Sequence, residues 1–282
     1  MAITAMTTKA TLLAAVAIVG YVLPAFAESP YSTNADFQKY ATQLRETELQ
    51  KMEPQVFTPS ANKMGFSKYP WKRNIMTTVF WVGERPTANN PVPNYKSSWD
   101  AQWYRSFGGF DNPDPTRRSN YIPKGLIPRQ NPFYIALPYN DVTHGTTKPE
   151  AKKVIPWFRQ TYVQQGKTVL KGRWLAIRHG NRICYAQWED CGPFRTDHWQ
   201  YVFGKEVPKP NLNQAAGLDV SPAVRDYLGI AGKDVCDWKF VEFSEVPNGP
   251  WAKYGDNNTF VLLHRGQDLR VADRNNQYNA RR

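Results

Sequence analysis

The sequence predicts a mainly β protein, a small closed barrel with short helices, a long irregular insertion and an N-terminal helix. Two observations predict this class. Short runs rich in β-branched and aromatic residues recur along the chain, and helical spacing is confined to brief segments. Short strands joined by long crossovers favour a closed barrel over a sheet layered with helices.

The N-terminus carries a pattern that is typical of export. Lys9 precedes an uncharged run from Ala10 to Leu23, and residues 25–27 (Ala-Phe-Ala) form a small-x-small cleavage pattern. Because the apolar run is short, we interpret residues 1–27 as a signal peptide cleaved near Ala27 and not as a retained anchor. We therefore expect a secreted or periplasmic protein with no transmembrane anchor after processing.

Three further segments follow the signal peptide. Residues 28–74 are predicted to contain an amphipathic helix and a linker, because apolar residues recur at helical spacing between positions 34 and 52. Residues 75–250 form the predicted barrel domain, which includes the insertion at 84–131. Residues 251–282 are a C-terminal extension, and its polar, Arg-rich tail is predicted to be disordered.

The barrel elements are predicted from local signals. The candidate strands are Ile75–Gly83, Phe133–Pro138, Gly172–Arg178, Arg182–Glu189 and Cys236–Val246. Gly180 and Asn181 mark a tight hairpin turn. Residues 149–157 are a candidate short helix, and Ser221 is a candidate N-cap for a second helix that ends near Gly229.

Charge and aromatic content narrow the class of partner. The formal net charge is +12, and 14% of the residues are aromatic, including 10 Trp. Outside the cytoplasm, a basic protein favours an anionic cell-wall polymer over nucleic acid, although the charge could serve solubility alone. Aromatic rings pack against the apolar faces of sugars, so we expect a polysaccharide partner.

The three cysteines leave their pairing open. Cys184 and Cys191 flank the end of a candidate strand, and in an oxidising compartment we expect them to form a disulfide. A Cys184–Cys236 pair with a free Cys191 is the alternative. No Cys-x-x-Cys spacing occurs, so neither a metal site nor a cofactor is predicted.

Three aspartates are candidate catalytic residues. Asp190 ends an alternating strand before a Gly-Pro turn, and strict alternation places its side chain on the same face as Trp188, where loss of hydration would raise its pKa. Asp190 is therefore the preferred general acid. Asp219 precedes a helix start and Asp141 follows a strand, and both also suit structural roles.

These residues resemble a known family. The Asp190-Cys-Gly-Pro-Phe turn, followed by the Leu218-Asp-Val-Ser helix start, is similar to the signature of the double-psi β-barrel group that contains rare lipoprotein A and expansin-like proteins. The strand at residues 133–139 resembles the Leu-Pro strand of that group. The resemblance implies a six-stranded double-psi barrel with a polysaccharide groove, which in some relatives cleaves cell-wall glycan such as peptidoglycan and in others only binds it.

Two functions remain open at this stage. The first is a polysaccharide-binding or remodelling protein, and its candidate binding residues are Trp188, Trp81, Tyr139, Trp199 and His198. The second is a glycan-cleaving enzyme, similar to a lytic transglycosylase, with Asp190 as general acid and base. The family's histidine before the Leu-Pro strand is replaced by Tyr134, which favours binding.

The insertion at 84–131 has no assigned role in the sequence. A long ordered loop is more often functional than idle. Trp99, Trp103 and Tyr104 lead us to expect that it forms a wall of the groove.

Overall fold

Ten strands and six short α-helices occupy residues 68–87, 90 and 92–265, the part of the chain that the computed structural model describes. The strands are β1 (Lys72–Val79), β2 (Arg118–Ser119), β3 (Ile122–Pro123), β4 (Tyr134–Leu137), β5 (Val142–Thr143), β6 (Thr146–Thr147), β7 (Trp174–His179), β8 (Arg182–Cys191), β9 (Leu218–Val220) and β10 (Asp234–Phe240). The helices are α1 (Trp103–Phe107), α2 (Ala151–Val154), α3 (Phe158–Thr161), α4 (Trp199–Val202), α5 (Pro222–Leu228) and α6 (Thr259–His264).

Six of the strands close into a barrel. Their hydrogen-bonded order is β1, β10, β7, β8, β4 and β9. The pairs β1 with β9 and β4 with β8 are parallel, and the others are antiparallel. The predicted mainly β class, with a small closed barrel and few short helices, is therefore confirmed. The predicted N-terminal helix and the tail beyond position 265 lie outside the described residues.

The hairpin of β7 and β8 follows its local sequence signal. The two strands pair in register from Trp174 opposite Gln187 to His179 opposite Arg182. Gly180 occupies the turn with φ = 53°, a left-handed conformation that glycine adopts without steric cost. Alternate residues of these strands enter an aromatic core, in which the Trp188 ring stacks on Phe240 with 5.9 Å between centroids.

Helix α5 begins where its capping residue predicts. The Ser221 hydroxyl oxygen accepts a hydrogen bond from the Val224 N–H at 3.3 Å, and Gly229 ends the helix with φ = 73°. The same hydroxyl donates to the Pro132 carbonyl at 2.7 Å. The cap therefore also joins the helix to the chain that enters β4.

A buried charge network holds the insertion against the barrel. The Arg118 guanidinium donates to Asp111 within the insertion and to Asp226 on α5 at 2.9 Å. The Tyr134 hydroxyl donates to Asp111 at 2.8 Å and accepts the Val82 N–H at 3.0 Å. Arg118 and Asp111 are buried, and Asp226 is partly exposed. Tyr134 thus joins the insertion to β4 through its hydroxyl group.

The predicted Cys184–Cys191 disulfide is wrong. Both residues belong to β8, a continuous strand of 10 residues, and no turn separates them. Seven residues of extended strand span roughly 23 Å, far beyond the reach of a disulfide. Cys184, Cys191 and Cys236 are all free thiols, so the alternative Cys184–Cys236 pair is also absent.

Other elements differ in detail from the prediction. The candidate helix at 149–157 is shorter than predicted and consists of α2 alone, because Pro156 disfavours helical geometry at Ile155. Helix α3, which follows at Phe158, was not predicted. The three-residue strand β9 was not predicted. Within the described residues, no helix is long and apolar enough to cross a membrane.

Candidate functional site

A row of four residues crosses four adjacent strands of the barrel at one level. Thr78 on β1 pairs with Asp219 on β9, Asp219 pairs with Ala136 on β4, and Ala136 pairs with Asp190 on β8. The two aspartates are therefore separated by two strand spacings, roughly 10 Å between Cα atoms. Only the methyl group of Ala136 stands between them, which leaves space for a cavity above the row.

The cavity has a volume of about 510 Å³ and opens to solvent. All four residues of the row line it, and it also receives one wall from the insertion and another from the chain after β8. Three carboxyl groups face it: Glu84, Asp190 and Asp219. Within the described residues, no Lys or Arg lies within ion-pair distance of any of the three.

Asp219 is half-buried and has one hydroxyl partner. The Thr78 hydroxyl donates to its Oδ1 atom. Burial raises the pKa of Asp219 to about 7, the hydrogen bond from Thr78 opposes that rise, and the charge of Asp190 adds to it. Asp219 therefore holds its proton close to neutral pH and can act as a general acid.

Asp190 has a different environment, because its 8% exposed side chain accepts two backbone amides. The N–H groups of Ser98 and Cys191 both donate to Oδ1 at 2.7 Å. Burial raises the pKa of Asp190, and these two hydrogen bonds counteract the effect because they stabilise the anion. Of the two aspartates, Asp190 is better suited to carry the negative charge.

A β-bulge sets the direction of the Asp190 side chain. Ile135 pairs with Trp188, whereas the next residue, Ala136, pairs with Asp190, so Glu189 is the extra residue. The bulge reverses the alternation of side chains along β8. Asp190 therefore shares a face with Ala136, whereas Trp188 shares a face with Ile135. The Trp188 indole still contacts this residue, because its Nε1–H donates to the Asp190 backbone carbonyl at 2.7 Å.

Glu84 is a third acidic residue that the sequence reasoning missed. It follows Gly83, whose φ of +85° and contact with Phe110 leave no room for a Cβ atom. The Glu84 carboxylate accepts the side-chain amides of Asn94 at 2.8 Å and Asn90 at 3.2 Å. Burial and the charge of Asp219 raise its pKa to about 7. An acidic residue directly after a strand and a glycine was the available signal.

The third predicted aspartate does not join this cluster. Asp141 is fully buried, and its carboxylate accepts the Thr168 hydroxyl at 2.6 Å and the Val169 N–H at 2.8 Å. These bonds fix the turn before β5. Asp141 does not line the cavity and has a structural role.

The predicted aromatic binding residues are not part of the cavity lining either. Trp188, on β8, and Tyr139, which follows β4, are both fully buried in the core. Trp81 and Trp199 are half-buried outside the lining. His198 is buried, and its Nε2 atom lies 3.0 Å from a carboxylate oxygen of Glu206. None of the five offers a ring to a ligand in this cavity.

The insertion does form a wall of the cavity, but through other residues than expected. Trp103 is buried against Phe80 and Tyr134, and Trp99 donates its Nε1–H to Asn140 at 2.9 Å. The wall consists of Glu84, Thr87, Asn90, Val92, Asn94, Lys96, Ser97 and Ser98. Polar side chains and backbone amides, not indole rings, therefore face the carboxyl groups.

The described residues hold no group of three His, Cys, Asp or Glu side chains arranged for a metal ion. Comparison with known proteins gives no match, either to a family model or to a curated sequence. The function has to be argued from the cavity and its acidic residues.

Proposed function

We propose that this protein cleaves glycosidic bonds in a cell-wall polysaccharide by acid and base catalysis, with Asp219 as the acid and Asp190 as the base. The single observation that carries the proposal is the convergence on one open cavity of three carboxyl groups, none of which has an ion-pair partner among the described residues. Unpaired carboxyl groups that are brought together in a partly buried cavity lower the stability of the folded protein, and catalytic sites typically contain such groups. The binding-only alternative is weaker, because none of its predicted aromatic residues lines the cavity.

The two aspartates suit the two halves of the reaction. Asp219, with a pKa of about 7, donates its proton to the glycosidic oxygen as the bond breaks. Asp190, whose anion accepts two backbone amides, takes a proton from the incoming nucleophile. If the nucleophile is water, the product is a reducing sugar; if it is a hydroxyl group of the same sugar, the product is an anhydro-sugar, as in a lytic transglycosylase. Glycosidases place their two carboxyl groups roughly 5 to 9.5 Å apart, which side chains from this row can span.

The barrel type belongs to the proposal as well. Two parallel strand pairs in an otherwise antiparallel six-stranded barrel support the double-psi type and the relationship to the rare lipoprotein A and expansin-like group. An exported, basic protein with an acidic cavity fits this interpretation, since the net charge of +12 attracts an anionic polymer while the carboxyl groups act on its sugars.

Product analysis tests the proposed reaction. Purified protein is incubated with peptidoglycan sacculi and, separately, with cellulose, and the soluble products are identified by mass spectrometry. We expect anhydro-sugar or reducing-end products from the wild type and a loss of roughly 10²- to 10⁴-fold in Asp190→Asn and Asp219→Asn. In Asp190→Asn the amide oxygen still accepts the Ser98 and Cys191 N–H groups, so the fold is retained.

The matched control is Asp256→Asn, which changes an exposed aspartate that does not line the cavity. Its product yield should equal that of the wild type. Sacculi and cellulose that sediment with the wild-type protein but yield no soluble sugar would overturn the catalytic proposal in favour of binding alone.

A further inference from the structure

One residue at the rim of the cavity is unfavourable in two separate respects. Phe194 follows the Gly192-Pro193 turn, lines the cavity and is 45% exposed. Its φ is 58°, in the left-handed region that bulky residues avoid. The Arg195 N–H bonds to the Pro193 carbonyl at 2.7 Å, which closes a three-residue turn with Phe194 at its centre. A γ-turn with a positive φ at the central residue is rare and strained.

A second aromatic residue with the same backbone strain shows how packing offsets it. Tyr121 has φ = 66°, and its ring contacts Phe133 and Tyr227 at centroid distances of 5.7 and 5.8 Å. Phe194 makes no such ring contact with any residue that the structure describes. No aromatic contact among the described residues therefore offsets the strain at Phe194, and a strained residue that lines an open cavity is a candidate ligand contact.

The position of the Phe194 ring indicates the kind of ligand. Phe194 lies four residues beyond Asp190 and lines the same cavity as the three carboxyl groups. Val92, 57% exposed, supplies a second apolar side chain to this lining from the insertion. A pyranose ring has hydroxyl groups at its edge and apolar C–H faces. The carboxyl groups of the cavity can accept hydrogen bonds from the hydroxyls, and the Phe194 ring can cover a C–H face.

We propose that Phe194 is the stacking platform of a sugar-binding subsite, where it holds the pyranose ring next to the bond that is cleaved. Lys96 lines the same cavity, and no carboxylate pairs with it among the residues described, so its ammonium group can pair with an acidic substituent on the bound sugar. This inference rests on the proposed function and names the residues that select its substrate.

The test uses three substitutions of Phe194 in the intact chain. Phe194→Ala removes the ring, Phe194→Tyr keeps it, and Phe194→Asn removes the ring while placing a residue that tolerates the left-handed region. Val207→Ala is the matched control, because Val207 is exposed and does not line the cavity. Co-sedimentation with peptidoglycan sacculi and with cellulose measures affinity, and thermal unfolding measures stability.

We expect Phe194→Ala and Phe194→Asn to weaken sedimentation about tenfold, while Phe194→Tyr and Val207→Ala retain wild-type affinity. Phe194→Asn should also unfold at a higher temperature than the wild type, because it relieves the strained turn.

If the wild type and Phe194→Ala sediment equally well with sacculi, the proposed subsite is wrong, but the proposed reaction is unaffected. A lower unfolding temperature of Phe194→Asn overturns it too, since the ring would then be a packing residue. A wild type that neither binds nor cleaves either polymer overturns the proposed function and the subsite together.

Discussion

Replacement of Asp219 by asparagine should stabilise the protein at alkaline pH. Asparagine keeps an oxygen that accepts the Thr78 hydroxyl but carries no charge. Burial raises the pKa of Asp219 from 3.8 to about 7 in the folded protein. Between these two values the folded state binds more protons than the unfolded state, so this carboxyl group makes stability fall as the pH rises through the window.

The size of the effect follows from that difference in pKa. At 1.36 kcal/mol per pH unit, it corresponds to roughly 4 kcal/mol above pH 7. Asp219 is half-buried, and solvent relaxation around the charge reduces the cost, so we expect a gain of about 1 to 3 kcal/mol for Asp219→Asn at pH 8.5. At pH 4, where the folded carboxyl group is protonated, the two proteins should agree within about 0.5 kcal/mol.

Urea unfolding followed by tryptophan fluorescence measures both free energies. Asp256→Asn, on an exposed carboxylate, serves as control and should show no pH-dependent difference from the wild type. Equal stability of Asp219→Asn and the wild type at pH 8.5 would refute the reasoning, because it would mean that the Asp219 charge is not costly in the folded state.

Two further predictions concern the parts of the fold that surround the cavity. Arg118→Leu should destabilise the protein by about 3 to 5 kcal/mol in urea unfolding, because it leaves the buried Asp111 charge without its partner; a loss below 1 kcal/mol would show that the network does not hold the insertion in place. Alkylation of the unfolded protein without reductant should label all three cysteines, as counted by intact-mass spectrometry, whereas a single labelled thiol would show that a disulfide had formed.

The sequence predicted those parts of the fold that depend on local signals. The Gly180 turn and the Ser221 cap were both readable because each is determined by a few neighbouring residues. Strand β9 was not predicted, since three residues carry too little periodicity and its strand geometry comes from pairing with β1 and β4.

The cavity was only partly predictable for the same reason. Asp190 and Asp219 were identified from their motifs, but their common level in the barrel depends on the register of both with Ala136. The bulge at Glu189 reverses the face that simple alternation assigns to Asp190. Glu84 follows a glycine at the start of the insertion, but its meeting with Asp190 and Asp219 depends on how the insertion folds over the barrel, which that local signal does not determine.

The proposed catalysis requires that Asp219 keep its proton near neutral pH, and the titration of the three cavity carboxyl groups measures this. Carboxyl ¹³C chemical shifts, recorded from pH 3 to pH 9 on labelled protein and assigned with Asp190→Asn, Asp219→Asn and Glu84→Gln, give the pKa of each group. We expect the resonance lost in Asp219→Asn to titrate near 7 in the wild type and at a lower pH in Asp190→Asn, where the neighbouring charge is gone. If all three resonances titrate below pH 5, and none shifts when a neighbouring carboxyl group is replaced, Asp219 cannot act as the proposed acid.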